Sequence, residues 1–290
     1  MIIDAHSHLW KVQNGIVDGK PVYDIGGGKS DFGGAIRQMM PPYMTDGENN
    51  IERFIANMDY AGVSGAVITQ EYIDGNQDDY LLECKSKSNS RIKICALYEE
   101  APLGDMTGFD GIKICASRLH DKNLLNHIAP FKTACENGMF ISIDLDDGDS
   151  QVDMMQKIIN EFTDLKIAIG HFGMVTRDGW QSQIKLARNK NVYIESGGIT
   201  WLFNSEFYPY PSAIKAINEA ADLVGFEKLM WGSDYPRTMT AITYKMSLDF
   251  VQKSKEISEK DKALFLGENA KAFYGFGDLA VPERIINMVE

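Results

Sequence analysis

Eight short apolar runs, each followed by a segment with helical spacing or a short connection, dominate this chain of 290 residues. The first run is residues 1–8. The others are 65–70, 91–97, 111–115, 139–145, 165–171, 191–196 and 228–234. Runs of that length, rich in Ile, Val and Leu, read as buried strands. Helices are expected at 51–61, 78–89, 123–137, near 150–162, near 178–189 and near 211–224, and then near 241–257 and 259–273. In the first of these, Ile51, Phe54, Ile55 and Met58 recur at helical intervals and Gly62 is placed to end the helix. The gap between 97 and 111 is too short for a full helix.

Strands that alternate with helices pair in parallel. Eight such units close a (β/α)8 TIM barrel. A doubly wound open sheet is the alternative, but no glycine-rich phosphate loop follows the first strand. The expectation is one α/β domain over 1–290, with a C-terminal tail after about 275 packed on the outside. Residues 11–50 stand apart. They hold Gly26-Gly27-Gly28 and Pro41-Pro42, a density that opposes regular structure. A long insertion of this kind, here carrying Phe32, Met39, Met40, Tyr43 and Met44, reads as a lid after strand 1.

Composition narrows the function. Lys+Arg 29 against Asp+Glu 41 gives a formal charge of −12, which argues against nucleic acid or an anionic membrane as partner. No run is long and apolar enough for a membrane span, and the first residues do not have the pattern of a signal peptide. Cys84, Cys95, Cys115 and Cys135 form no C-x-x-C pair and read as reduced thiols of a cytoplasmic protein. A small-molecule substrate fits this profile, and a homodimer stays open.

In a closed parallel barrel the chemistry collects at the C-terminal ends of the strands. Simple alternation puts Asp4, His6 and His8 on one face of strand 1. Two imidazoles two residues apart can grip one metal ion. With Ile112, Ile114, Ile141 and Ile143 turned to the helices, Lys113, Ser142 and Asp144 face inward. The same parity turns Glu195 inward, while His171 and Asp234 end their strands and Arg237 follows. His120 and His127 read as ordinary surface histidines.

These residues fall in four motifs: Asp4-Ala-His6-Ser-His8-Leu-Trp10, Ile169-Gly-His171-Phe-Gly173, Trp231-Gly-Ser-Asp234-Tyr-Pro236 and Gly267-Glu-Asn-Ala270. In order and placement they resemble the amidohydrolase-related family, a branch of the metal-dependent amidohydrolase superfamily. The resemblance implies a TIM barrel with one divalent metal, zinc first and manganese next. It implies hydrolases, lactonases or non-oxidative decarboxylases. By position, His6, His8 and Asp234 are implied metal ligands, with Asp144 and His171 as further candidates. Asp234 and His171 are the implied catalytic pair. Many members of the family it resembles end strand 5 with a histidine where this chain has Asp144, and a metal-independent enzyme is the alternative that this departure implies. Arg237, Lys113, Glu195 and Trp10 are the substrate-binding candidates, Arg237 because its fork matches a carboxylate. Trp201, Tyr208 and Tyr210 are further aromatic candidates for the pocket. The expected reaction is metal-assisted hydrolysis of a small lactone, ester or amide that carries a carboxylate. Decarboxylation of an aromatic or dienoic acid, and a non-catalytic metal- or ligand-binding barrel, are the alternatives.

Overall fold

The structure, a computed structural model, describes residues 1–286 and 288. Strand β1 (Ile3–His8) leads into four short strands, β2 (Asn14–Val17), β3 (Lys20–Asp24), β4 (Lys29–Phe32) and β5 (Ile36–Gln38). Helix α1 (Ile51–Ala61) follows. The barrel resumes with β6 (Gly65–Thr69), α2 (Asp78–Lys87), β7 (Ile92–Leu97) and β8 (Gly111–Cys115). Then come α3 (Ile128–Glu136), β9 (Phe140–Asp144), α4 (Val152–Glu161), β10 (Lys166–Ile169) and α5 (Trp180–Lys185). The last barrel strands are β11 (Val192–Glu195) and β12 (Leu229–Met230), separated by α6 (Ile199–Leu202) and α7 (Pro211–Val224). Helices α8 (Met246–Gln252), α9 (Glu259–Ala263) and α10 (Asn269–Tyr274) complete the chain. No helix among the described residues is long and apolar enough to cross a membrane.

Helix α1 shows how local sequence sets these bounds. The Asn50 side chain accepts from the Arg53 backbone N–H at 3.0 Å, satisfying one of the free donors of the first turn. Ile51, Phe54, Met58 and Ala61 form the buried stripe. Gly62 ends the helix at φ +74°, a conformation with little cost for glycine alone.

The strands β1 and β6–β12 pair in sequence order, all parallel. Residues just past β12 close the ring against β1: Ala5 N–H donates to Trp231 C=O at 2.9 Å, Asp234 N–H to His6 C=O at 2.9 Å and His8 N–H to Tyr235 C=O at 2.8 Å. This is the (β/α)8 barrel of the sequence reading. Two apolar layers hold it. Ile112, Ile114, Ile141, Ile143, Ile167 and Ile169 pack outward against the helices. Ile3, Ala5, Val67, Cys95, Ala168 and Met230 form the second cluster, on the opposite faces of their strands. Phe140, Phe273, Tyr274 and Phe276 belong to that second cluster. The segment after 275 therefore packs partly into the barrel end, where Leu279 lies against Gly65, and not simply on the outside.

Two expectations change. Residues 14–38 are not irregular: β2–β5 form a four-stranded antiparallel meander. Its glycines serve the turns, as at Gly33, whose φ is +62°. Asp4 does not share a face with His6 and His8. Strand β1 slips against β6, pairing Asp4 with Ala66 but Ser7 with Ile68, so three residues advance against two. That bulge reverses the alternation. Asp4 points to the helix side and accepts from Ser233 N–H at 2.8 Å, from the Tyr244 hydroxyl at 2.8 Å and from His6 N–H at 3.1 Å. The Ser233 hydroxyl donates to it as well.

Replacing Asp4 by Ala would leave two backbone N–H groups and two hydroxyls without their acceptor in a dry environment. The expected loss is about 3 kcal/mol or more, read from urea unfolding. A loss under about 1 kcal/mol would show that the closure does not depend on this carboxylate.

Candidate metal and catalytic site

Barrel closure places the residues after β12 beside the end of β1, and three donors meet there. His6 Nε2 and His8 Nε2 are 3.0 Å apart. Asp234 Oδ1 lies 3.0 Å from His8 Nε2 and 3.8 Å from His6 Nε2. All three side chains are buried. Two donors about 2.0–2.1 Å from one tetrahedral ion are themselves about 3.3 Å apart, so this spacing suits a shared cation. His6 Nδ1 meets Glu195 Oε1 at 2.7 Å, which fixes that nitrogen as the donor and leaves Nε2 as a lone pair. His8 Nδ1 has no hydrogen-bond partner, and Asp74 Oδ2 is the carboxylate opposite it at 3.8 Å. The donor set of two imidazoles and a carboxylate fits one divalent metal.

A second group adjoins the first. His6, Asp144 and His171 also offer ligand atoms within 4.8 Å of one another. Here, however, the Asp144 carboxylate is held by Lys113 Nζ at 2.7 Å and faces His171 Nε2 at 3.6 Å. His171 Nδ1 donates to the Gly197 carbonyl at 2.9 Å. Strand β10 stops at Ile169, so His171 lies in the turn beyond it, with φ of +53°. Asp234 likewise lies past its strand, at φ +56°. Backbone in that region costs a non-glycine residue energy and is found where surrounding structure imposes it.

Charge alternates through the site. Burial opposes the charged form of His171, but Asp144 foremost, with Asp234 and Glu195, pushes the imidazole up to about 10. Burial also works against ionised Asp144, and Lys113 and then His171 outweigh it and hold the carboxyl well below its usual range. Asp234 is held low in the same way, by the His8 hydrogen bond and the Arg237 charge against burial. Burial, then Arg237, drives His8 well down, which leaves it a neutral lone-pair donor. Arg237 Nη2 donates to both carboxylate oxygens of Asp74, at 2.8 and 2.6 Å, and Nη1 lies 3.7 Å from Asp234 Oδ1.

A cavity of roughly 590 Å³ opens over this cluster. His8, Asp144, His171, Trp201 and Asp234 line its inner end. Arg37 and Met39 from the meander, with Arg118, Arg177 and Arg237, line it further out, together with the acids Glu71, Asp146 and Asp147. Trp201 Nε1 donates to Asp234 Oδ2 at 2.7 Å.

Three of the four residues read as substrate contacts do not face this cavity. Trp10 is fully buried, and its indole donates to the Gly47 carbonyl. Lys113 is committed to Asp144, and Glu195 to His6 and to the Gly197 N–H. Arg237 does line the cavity; its Nη2 is taken by Asp74, its Nη1 faces Asp234 at 3.7 Å and its buried Nε has no hydrogen-bond partner. Tyr208 and Tyr210 do not line it. His127 is buried against Tyr98, not a surface histidine, whereas His120 is exposed. Reading the sequence missed Asp74, Glu71, Arg118, Arg177 and Arg37. Arg118 is three residues past the end of β8 and Asp74 five past β6, so a search of every strand's following loop would have reached both.

The His171 shift sets a pH dependence for the metal-free protein. A pKa raised in the folded state adds stability that is complete below the unfolded value near 6.5 and is lost as pH rises through about 10. Urea midpoints of the wild type should fall between pH 7 and pH 10 more steeply than those of His171→Gln, in which Lys113 and Asp144 stay paired. Parallel profiles would show that His171 is not held protonated.

Comparison with known proteins agrees with this architecture. No curated protein matches the chain. A solved structure described as a "probable 2-pyrone-4,6-dicarboxylic acid hydrolase" from Acinetobacter baumannii, with citric acid bound, superposes with a TM-score of 0.71 at 18% identity, over 95% of this chain and 99% of that one. An amidohydrolase from Burkholderia multivorans with bound zinc gives 0.69 at 16% identity, over 96% and 100%. A 5-carboxyvanillate decarboxylase from Novosphingobium aromaticivorans with bound manganese gives 0.55 at 17%, over 78% and 81%. At these identities the likeness is one of fold. The family model described as amidohydrolase matches residues 3–276. The chain belongs to the amidohydrolase family and is an enzyme.

Proposed function

We propose that this enzyme hydrolyses a carboxylate-bearing lactone or related ester, with one divalent metal held by His6, His8 and Asp234. The observation that carries the reading is the convergence of those three donors under a cavity whose lining includes Arg37, Arg118, Arg177 and Arg237 beside the acids Glu71, Asp146 and Asp147. A cation bound there supplies Lewis acidity, polarising a carbonyl and making a water acidic near neutral pH. Zinc is the first candidate for the nitrogen-rich set, and manganese the second. Both metals occur in the similar structures named above.

The side chains divide the remaining work. Asp234 presents Oδ1 to the cluster while Trp201 fixes Oδ2, so the carboxylate is oriented to take a proton from the attacking water. The water oxygen bonds to the carbonyl carbon, the ring C–O bond breaks, and the departing alkoxide takes that proton. His171, held as a cation by Asp144, stabilises negative charge on the carbonyl oxygen. Arg237 is a fixed charge beside Asp234, and the substrate carboxylate goes to Arg118. The Arg118 guanidinium is 38% exposed, and its partner Glu71 stands off at 3.5 Å. Acid groups on the substrate also agree with the names of the first-mentioned similar structure and its bound citric acid. Buried free thiols such as Cys95 and Cys115 agree with a reducing, cytoplasmic setting.

Chelation should abolish lactone hydrolysis, and zinc or manganese add-back should restore it. His6→Ala should lower kcat/KM by about 1,000-fold or more with the fold retained by circular dichroism, a loss of roughly 4 kcal/mol of transition-state stabilisation. Acid release without carbon dioxide supports hydrolysis, whereas carbon dioxide from hydroxybenzoates would replace it with decarboxylation. Arg118→Ala should raise KM about tenfold with little change in kcat, as expected for a group that binds ground and transition states alike.

A further inference from the structure

A second cavity, of roughly 670 Å³, adjoins the first. The β2–β3 hairpin, Tyr72 and Asn76 after β6, Glu99 after β7 and Leu119 after β8 form its walls. None of His6, His8, Asp144, His171 or Asp234 lines it. Ser117 and Arg118 face both cavities. Glu71 lines the catalytic side, its neighbour Tyr72 lines the other, and the loose 3.5 Å contact between Glu71 and Arg118 spans the two.

The geometry points to a second subsite: this cavity receives a remote, uncharged, largely apolar arm of the substrate whose carboxylate is held at Arg118. The assignment rests on the reading above for where that carboxylate binds. Position is the first argument. A ligand anchored on Arg118 has the His/Asp cluster on one side and this cavity on the other. Lining chemistry is the second. Ile16, Val17 and Tyr72 offer apolar surface, and Ile16 is 60% exposed, so an occupant would cover it. Charge is the third. Asp18, Glu99 and Glu100 disfavour another anion, while, apart from Arg118, the basic side chains are engaged: the His120 ring meets Glu100 at 2.9 Å and Lys122 donates to the Ser117 carbonyl. An aryl ring or short alkyl chain suits these walls better than a second acid group. The β2–β3 hairpin thereby becomes a specificity element.

Succinate and benzylsuccinate test this directly, since they share two carboxylates and differ by one uncharged aromatic arm. Calorimetry on the whole protein should show benzylsuccinate binding at least about tenfold tighter than succinate. Ile16→Trp and Lys122→Trp each fill the cavity from an exposed position on a different wall. Each should remove that preference and leave succinate affinity unchanged. Equal affinities in the wild type, no binding of either acid, or a preference that survives both substitutions would overturn the subsite. Lactone turnover is scored separately. A wild type that shows the preference but opens no lactone upholds the subsite and sinks the hydrolase reading.

Discussion

The site depends on the seam that closes the barrel. Backbone hydrogen bonds between residues 5–8 and 231–235 join two segments more than 220 positions apart in the chain. The Asp4 carboxylate reinforces them by accepting from both the backbone and the hydroxyl of Ser233. Fixing that seam sets where Asp234 stands relative to His6 and His8. Glycine at 232 is part of the same constraint, because a Cβ there would lie 2.7 Å from the His6 Cβ and 2.8 Å from Glu195 Oε2. A cluster of candidate metal donors assembled on such a seam is held by main-chain geometry and owes little to flexible side chains.

Charge is arranged around the cluster in two alternating series. On one side run Lys113, Asp144 and His171. On the other run Asp74, Arg237 and Asp234. Isolated buried ions are expensive, and pairing each with an opposite charge is what makes such a density tolerable. The arrangement also shapes the chemistry. His8 is kept neutral and able to ligate, Asp234 is kept ionised, and His171 is kept positive. Asp144 belongs to this scheme. At the end of its fifth barrel strand this chain sets that carboxylate against a buried lysine.

The meander β2–β5 links the rim to that interior. Gln13, just before β2, donates to Asp74, which in turn grips Arg237, and Ser30 on β4 bonds Gln13. Arg37 and Met39 reach the catalytic cavity from the far end of the same sheet. The insertion is thus built into the site's polar network and forms part of both cavities.

Much of this was legible in the residues themselves. Eight apolar runs with helical spacers, the parity of Ile112, Ile114, Ile141 and Ile143, and the placing of His6 and His8 at the end of the first strand and of Asp234 just beyond the last follow from periodicities of two and 3.6 and from the rule that barrel chemistry gathers at strand ends. Three things were decided only by the folded chain. The bulge in β1 turned Asp4 away from the histidines, because a one-residue slip in register reverses every following side chain. Burial and pairing assigned Lys113, Glu195 and Trp10 to support the site and not to meet substrate, since a side chain's partners are contacts across strands that spacing along one strand does not encode. Arg118, Arg177 and Arg37 came to the cavity on loops and on the meander, where no hydrophobic period marks which way a residue points. Sequence alone determined the barrel and pointed to candidate donors at one end of it. Tertiary structure decided which polar groups are free to act, because that depends on neighbours brought together only when the ring closes.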